Sequence, residues 1–242
     1  MNIAGGIALV TGANRGLGRA YVEALLAAGA AKVYGGARDP AQIATPGVTP
    51  VRLDVTDPAQ VAAAAARCAD VTLLINNAGV MLMTPMLAEG SEAAMRREME
   101  VNVFGTLRMI RAFAPVLAGN GGGAIVNMLS VVSWFTSPFN ATYGASKRAE
   151  LAVTDGARIQ LKAQGTQVIG VYAGFIDTDM AAGVDAEKVS PREVALATLE
   201  GVEAGLDHVL VGARAHEIWN AQRTSPADLE ASLQRIWDAS RG

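Results

Sequence analysis

The amino-acid sequence predicts an α/β protein: one doubly wound parallel sheet between two layers of helices, a single domain over residues 1–242. Three observations carry that expectation. Apolar runs recur in near-continuous rather than alternating form, as strands buried on both faces require. The segments between them have the spacing of amphipathic helices. No Pro-, Ser- or Gly-rich linker divides the chain, whose length suits one large domain.

The elements follow in order. IALV (7–10) is the first strand, and RAYVEALLAAG (19–29) a helix with Gly29 as its C-cap. KVYG (32–35) and VRL (51–53) are the second and third strands; residues 38–50, with Pro40, Pro46, Gly47 and Pro50, leave little room for a helix between them. VTLLI (71–75), AIVNM (124–128) and QVIGVY (167–172) follow as strands, with GNGGG (119–123) a helix-to-strand loop. Ser190-Pro191-Arg192-Glu193 reads as N-cap, first-turn proline and capping-box glutamate. Ser225-Pro226 opens a last helix with Leu229, Leu233, Ile236 and Trp237 on one face.

Composition excludes several classes. Hydrophobic residues make up 51% and charged ones 18%, so a large core forms and disorder is not expected. A net charge of -3 provides no field for nucleic acid. The apolar runs above fall far short of the roughly 20 residues that span a bilayer. MNIAGGIALVTG lacks the basic start of a signal peptide, and Cys68, the one cysteine, permits no intrachain disulfide; a reducing cytoplasm is the expectation. His208 and His216 have no ligand cluster around them, so no metal site is expected.

Chemistry concentrates in a few places. In TGANRGLG (11–18), Gly12 permits a tight turn, Gly16 lets backbone approach a pyrophosphate and Gly18 packs helix on strand. In TYGASKR (142–148), Tyr143 and Lys147 share one helix face. An ammonium about 5 Å from a phenol favours phenolate by roughly 3 kcal/mol at an effective dielectric near 20, which would bring the tyrosine into range as a general acid or base. The competing reading is an exposed helix with a chance pair. Ser130 ends the fifth strand, where a hydroxyl faces the ligand crevice and can hold a carbonyl; Ser133 is its rival. Asn102, in VNVFG, is a poor helix former in an otherwise good helix, either a satisfied polar kink or part of a site.

The TGxxxGxG spacing, NNAG (76–79), Asn102, Ser130 and YxxxK (143–147), in that order between residue 7 and about residue 180, resemble the short-chain dehydrogenase/reductase family. The resemblance implies a seven-stranded Rossmann-type sheet, a nicotinamide cofactor and hydride transfer between an alcohol and a carbonyl. It implies cofactor contacts from Gly12, Asn14, Arg15, Gly16, Leu17 and Gly18, from Asp54-Val55 at the adenine, and from Asn77-Ala78-Gly79 at the ribose. Lys147 would also hold the ribose hydroxyls, and Asn102 would support Lys147 through a water. The 13-residue gap from Ser130 to Tyr143 matches the family. Ala173-Gly174, Ile176 and Thr178 would place the nicotinamide, with alanine where the family has proline. The tail departs too, ending in a helix instead of the strand and glycine pair many relatives use at a subunit interface. A homo-oligomer, dimer or tetramer, built through long helices is therefore expected.

Cofactor choice turns on the end of the second strand, where an NAD site carries an acid. Here Ala37 stands, followed by Arg38, and Arg15 lies in the glycine turn; two guanidiniums suit a 2′-phosphate, hence NADP(H). Two merely solvated arginines are the alternative. Met81, Leu82, Met83, Met86, Met128, Trp134, Phe135 and Phe139 would make the crevice apolar, and no cation is obviously placed for an anionic substrate. The expected activity is a carbonyl reductase or alcohol dehydrogenase acting on a neutral compound. Alternatives are a dehalogenase on the same scaffold, which would carry arginine in place of Lys147, and a nucleotide sensor, which usually loses Tyr or Lys.

Overall fold

A computed structural model describes residues 1–240. Strands β1 (Ile7–Thr11), β2 (Lys32–Ala37), β3 (Val48–Arg52), β4 (Leu73–Asn76), β5 (Gly123–Met128) and β6 (Thr166–Ala173) enter one sheet. Strands β7 (Phe175–Ile176) and β8 (Lys188–Val189) form a small separate ribbon, and β9 (His208–Val211) returns to the main sheet. All seven pair in parallel in the order β3-β2-β1-β4-β5-β6-β9, so the order reverses between β1 and β4.

Adjacent strand residues serve opposite layers, which is why the runs are apolar throughout. Val10, Ile75, Val126 and Ile169 pack with Tyr21 and Leu25 of α1 (Gly16–Ala27). Leu9, Leu74, Ile125 and Val168 face the other way, toward α2 (Pro58–Arg67), which contributes Val61. Helix α3 (Ser91–Glu98) runs through a π-helical stretch, Met99–Gly105, into α4 (Thr106–Gly119), whose Met109 and Phe113 join that second layer with Ala157 of α5 (Ala141–Leu161). On the first face, α6 (Pro191–Ala204) adds Val194, Leu199 and Val202. Helices α7 (Ala213–Thr224) and α8 (Pro226–Ala239) close the carboxyl end of the sheet.

Local signals behave as their chemistry dictates. Ser190 accepts from the Glu193 amide at 3.1 Å, and Asp57 accepts from Ala59 and Gln60 ahead of Pro58. Gly29 takes φ +79° after α1. Only a single 3-10 turn, Pro40–Gln42, fits between β2 and β3.

One expectation is corrected. The tail does carry a strand: β9 pairs with β6 from Gly170↔His208 to Ala173↔Val211, and α7 and α8 follow it. Four residues beginning with histidine are too short a pattern to read; only Val209 and Val211 are buried, because β9 is an edge strand. The continuous helix Ser91–Gly119 is also long and apolar enough, by length and composition, to cross a membrane, although half of its apolar window is buried in the fold. Its polar residues, Asn102 among them, interrupt the run in the sequence.

Candidate active site

A cavity of about 750 Å³ opens over the carboxyl ends of the strands, across the β1/β4 reversal where doubly wound sheets bind ligands. Gly12, Asn14, Arg15, Gly16, Leu17, Gly18, Arg38, Asp54, Val55, Asn77, Ala78, Gly79, Ser130, Tyr143, Lys147, Gly174, Ile176 and Thr178 all line it. Asn102 and Ala173 do not. Ala173 ends β6 and is 1% exposed, buried in the sheet instead of lining the cavity.

At one end the glycine turn fits a phosphate-bearing cofactor. Gly12 and Gly16 have φ of +68° and +51°, and a β-carbon on Gly18 would collide with the Gly12 carbonyl. Helix α1 begins without a side-chain cap, so its first amides are open to an anion. Thr11 ties the turn to the neighbouring loop: its Oγ1 accepts from the Asn77 and Ala78 amides, both at 2.9 Å, and its carbonyl accepts from Asn77 Nδ2. Asp54 is held below the ordinary carboxylate range: burial opposes this, but hydrogen bonds from Thr56 and the Arg38 and Arg97 guanidiniums outweigh it.

Arg38 and Ala37 border the cavity, and Asp39 is a turn residue, accepting from the Ala41 amide. Arg15 reaches across the mouth to Asp179, Nη1 to Oδ2 2.6 Å, with both side chains exposed. Arg97, Gln42 and Asp179 also line this end and were missed from sequence. They sit on segments that only the fold brings to β1.

At the other end stand the phenol, the ammonium and the hydroxyl. Lys147 Nζ lies 5.8 Å from the Tyr143 ring centroid and donates to the Met128 carbonyl at 2.7 Å and to Glu150 Oε2 at 2.6 Å. Ser130 hydrogen-bonds Tyr143 from the end of β5, whereas Ser133 is wholly buried and accepts from the Ser130 amide. Asn102 lies behind the wall: Oδ1 accepts from the Val80 amide, and Nδ2 donates to the Val80 carbonyl and to Ser146 Oγ. It is a satisfied polar group in the π-helical stretch, and it braces the loop and helix that carry Gly79 and Tyr143.

The electrostatics correct one expectation. Burial pushes the Tyr143 pKa above its ordinary 10; Lys147 and Ser130 pull it down, while the Glu150 and Glu98 carboxylates push it up. The pair alone would lower it, but the buried Glu150 neutralises much of the ammonium's field. Glu150 was missed, although its place three residues beyond Lys147 is a legible same-face spacing.

Of the residues expected to make an apolar crevice, Met81, Met128, Phe135 and Phe139 line the cavity. Trp134 does not; it stacks on Tyr172 with centroids 4.1 Å apart. Leu82, Met83 and Met86 are exposed on the loop after β4. Leu233 and Ile236 of α8 complete the wall, and Phe139 packs on Trp237 with centroids 5.4 Å apart. Arg214 also borders the cavity, facing Glu217 at 3.4 Å.

The chain resembles known proteins over most of its length. The sequence model of the short chain dehydrogenase family matches residues 6–189. A short chain dehydrogenase of Burkholderia cenocepacia, solved in complex with NADP, is 47% identical, covers 96% of this chain and 99% of its own, and superposes with a TM-score of 0.93. One of Burkholderia phymatum, solved with NAD, is 26% identical, with coverage of 96% of both chains and a TM-score of 0.83. The sorbitol dehydrogenase of Cereibacter sphaeroides is 33% identical over 197 residues, 77% of each chain. With the strand order, the glycine turn and the Tyr–Lys pair in one cavity, these matches show that the chain belongs to the short-chain dehydrogenase/reductase family.

Proposed function

We propose that the protein is an NADP(H)-dependent oxidoreductase that interconverts a carbonyl and an alcohol on a neutral, fairly apolar substrate. The observation that carries this is the convergence of Ser130, Tyr143 and Lys147 on the cavity that the glycine turn also lines. A bound nicotinamide would supply or accept the hydride. Ser130 would hold the substrate oxygen by a hydrogen bond, and Tyr143 would give that oxygen a proton or take one from it. Lys147, anchored on Met128, keeps an N–H for the ribose side, and Asn102 steadies the loop beside it.

Arg15 and Arg38 support the phosphorylated cofactor. Ala37 puts no charge beside them, and the relative with 47% identity was solved with NADP. A hydrogen bond to a charged group contributes about 1.5–3 kcal/mol, reduced here because Arg15 is exposed. A preference for NADPH over NADH of about 10- to 1,000-fold in kcat/KM follows. Met81, Phe135, Phe139, Leu233 and Ile236 suit an apolar substrate. The proposal includes a homo-oligomer in a cytoplasmic compartment.

The test is a screen of aldehydes, ketones and secondary alcohols with both cofactors, following absorbance of the reduced nicotinamide. Equal kcat/KM for the two cofactors, or a preference for NADH, would show that the arginines are only solvated. Ala37→Asp with Arg38→Leu should shift preference toward NADH, mainly by lowering kcat/KM with NADPH.

A further inference from the structure

Glu150 is a buried carboxylate that the reaction does not consume. It is 1% exposed, and Lys147 is 5% exposed. Both its oxygens are engaged: Oε2 takes an N–H of Lys147 at 2.6 Å, and Oε1 accepts from the Thr106 hydroxyl of α4 at 3.0 Å. A second Lys147 N–H goes to the Met128 carbonyl at the end of β5. An ammonium has three N–H groups, so one remains, and Lys147 borders the cavity.

A buried ammonium without a partner sheds its proton, because burial disfavours the charged form by up to about 3–5 pH units. Here burial works against the charge, but Glu150, by charge and hydrogen bond, together with Tyr143 outweighs it, so Lys147 titrates above the ordinary lysine range. Tyr143 also holds it up, and Glu98 of α3 bears in turn on Tyr143. Glu150 alone supplies the ammonium with both an opposing charge and a hydrogen bond.

We propose that Glu150 is the positioning counter-ion of Lys147, holding its ammonium charged and docked on the Met128 carbonyl so that a single N–H is left for the ribose and Tyr143. This rests on the oxidoreductase reading for its catalytic consequence, though not for the charge state itself. A purely structural clamp between α4 and α5 is the rival. It would cost stability when removed and would not move the titration of the lysine.

The chain has four lysines, Lys32, Lys147, Lys162 and Lys188, few enough to follow by NMR with ¹³C at Cε in the cofactor-free protein. Lys147→Arg assigns the resonance. In the wild type Lys147 stays charged through the ordinary lysine range; in Glu150→Gln its midpoint falls by one unit or more. An unmoved midpoint would overturn the proposal. Glu150→Asp, which withdraws the charge by one methylene, should show an intermediate fall. Should Glu150→Gln not fold, the aspartate variant decides, and a midpoint at the wild-type value would overturn the proposal.

The rate supplies a second readout. Alcohol oxidation by the wild type should rise to an alkaline plateau, whereas Glu150→Gln should gain a falling alkaline limb as its lysine discharges. A profile merely scaled down at every pH would mean a structural clamp and would count against the proposal. Absence of turnover in the wild type would refute the oxidoreductase reading alone, because the NMR titration still reports on Glu150.

Discussion

At the scale of single residues, the cavity is a contest between solvation and charge. Tyr143 is a phenol at neutral pH in the cofactor-free protein, because its burial and the carboxylates of Glu150 and Glu98 outweigh Lys147. A raised pKa means the donor form persists through neutrality, and the acceptor form appears only on the alkaline side. Carbonyl reduction should therefore hold steady from about pH 6 to 8 while alcohol oxidation climbs with pH, a divergence that initial rates in both directions would reveal. Tyr143→Phe should keep cofactor affinity, measured by quenching of tryptophan fluorescence, and lose a factor of about 10² or more in rate. A variant with more than half the wild-type rate would assign the proton to another group.

Among the elements, the β1–α1 turn is the least tolerant. Gly18 meets the Gly12 carbonyl and lies against Asn77 Nδ2, so even one methyl group must displace backbone. Gly18→Ala should lower stability by about 1–3 kcal/mol, as overpacking does, and should weaken NADP(H) binding more than it weakens folding. Thermal melts with and without cofactor separate the two: the stabilisation that the cofactor confers should shrink in the variant. An unchanged cofactor-induced shift would mean the turn is not the phosphate site. Asn102 shows the same principle with polar groups. It is tolerated in a long helix because the π-helical stretch turns its amide onto the Val80 backbone and Ser146.

The whole molecule is completed by its tail. Ala215, Ile218 and Leu229 of α7 and α8 are buried against Trp134 and Tyr172, and Leu233 and Ile236 wall the cavity. Removing residues after Gly212 would delete Ala215, Ile218 and Leu229 and uncover Trp134 and Tyr172, and each large apolar side chain whose burial is lost costs about 1.5–3 kcal/mol, a large share of the 5–15 kcal/mol that stabilises a domain. Such a truncation should lose its cooperative unfolding transition by circular dichroism, so it cannot report on assembly. Light scattering of the full chain can. The expected mass is at least twice 25.0 kDa, and a peak at the monomer mass would remove the homo-oligomer from the proposal.

Much of this was legible in the sequence, and the reason is range. Buried parallel strands announce themselves as continuous apolar runs, as IALV and AIVNM do. The glycine turn and the Tyr143–Lys147 pair are also local, set by φ freedom and helical spacing within a few residues. These determined the sheet, the glycine turn at its carboxyl end and the helix that carries the Tyr143–Lys147 pair. Tertiary structure alone decided what depends on distant partners: that HVLV joins β6 as an edge strand, that α8 walls the cavity, and that Asn102 is satisfied by Val80 and Ser146. It also reversed the expected shift of Tyr143. A pair read along one helix carries the Coulomb attraction of Lys147, but the desolvation of the phenol is set by the elements that bury it. The compensating charge of Glu150 is fixed in turn by Thr106, brought from another helix.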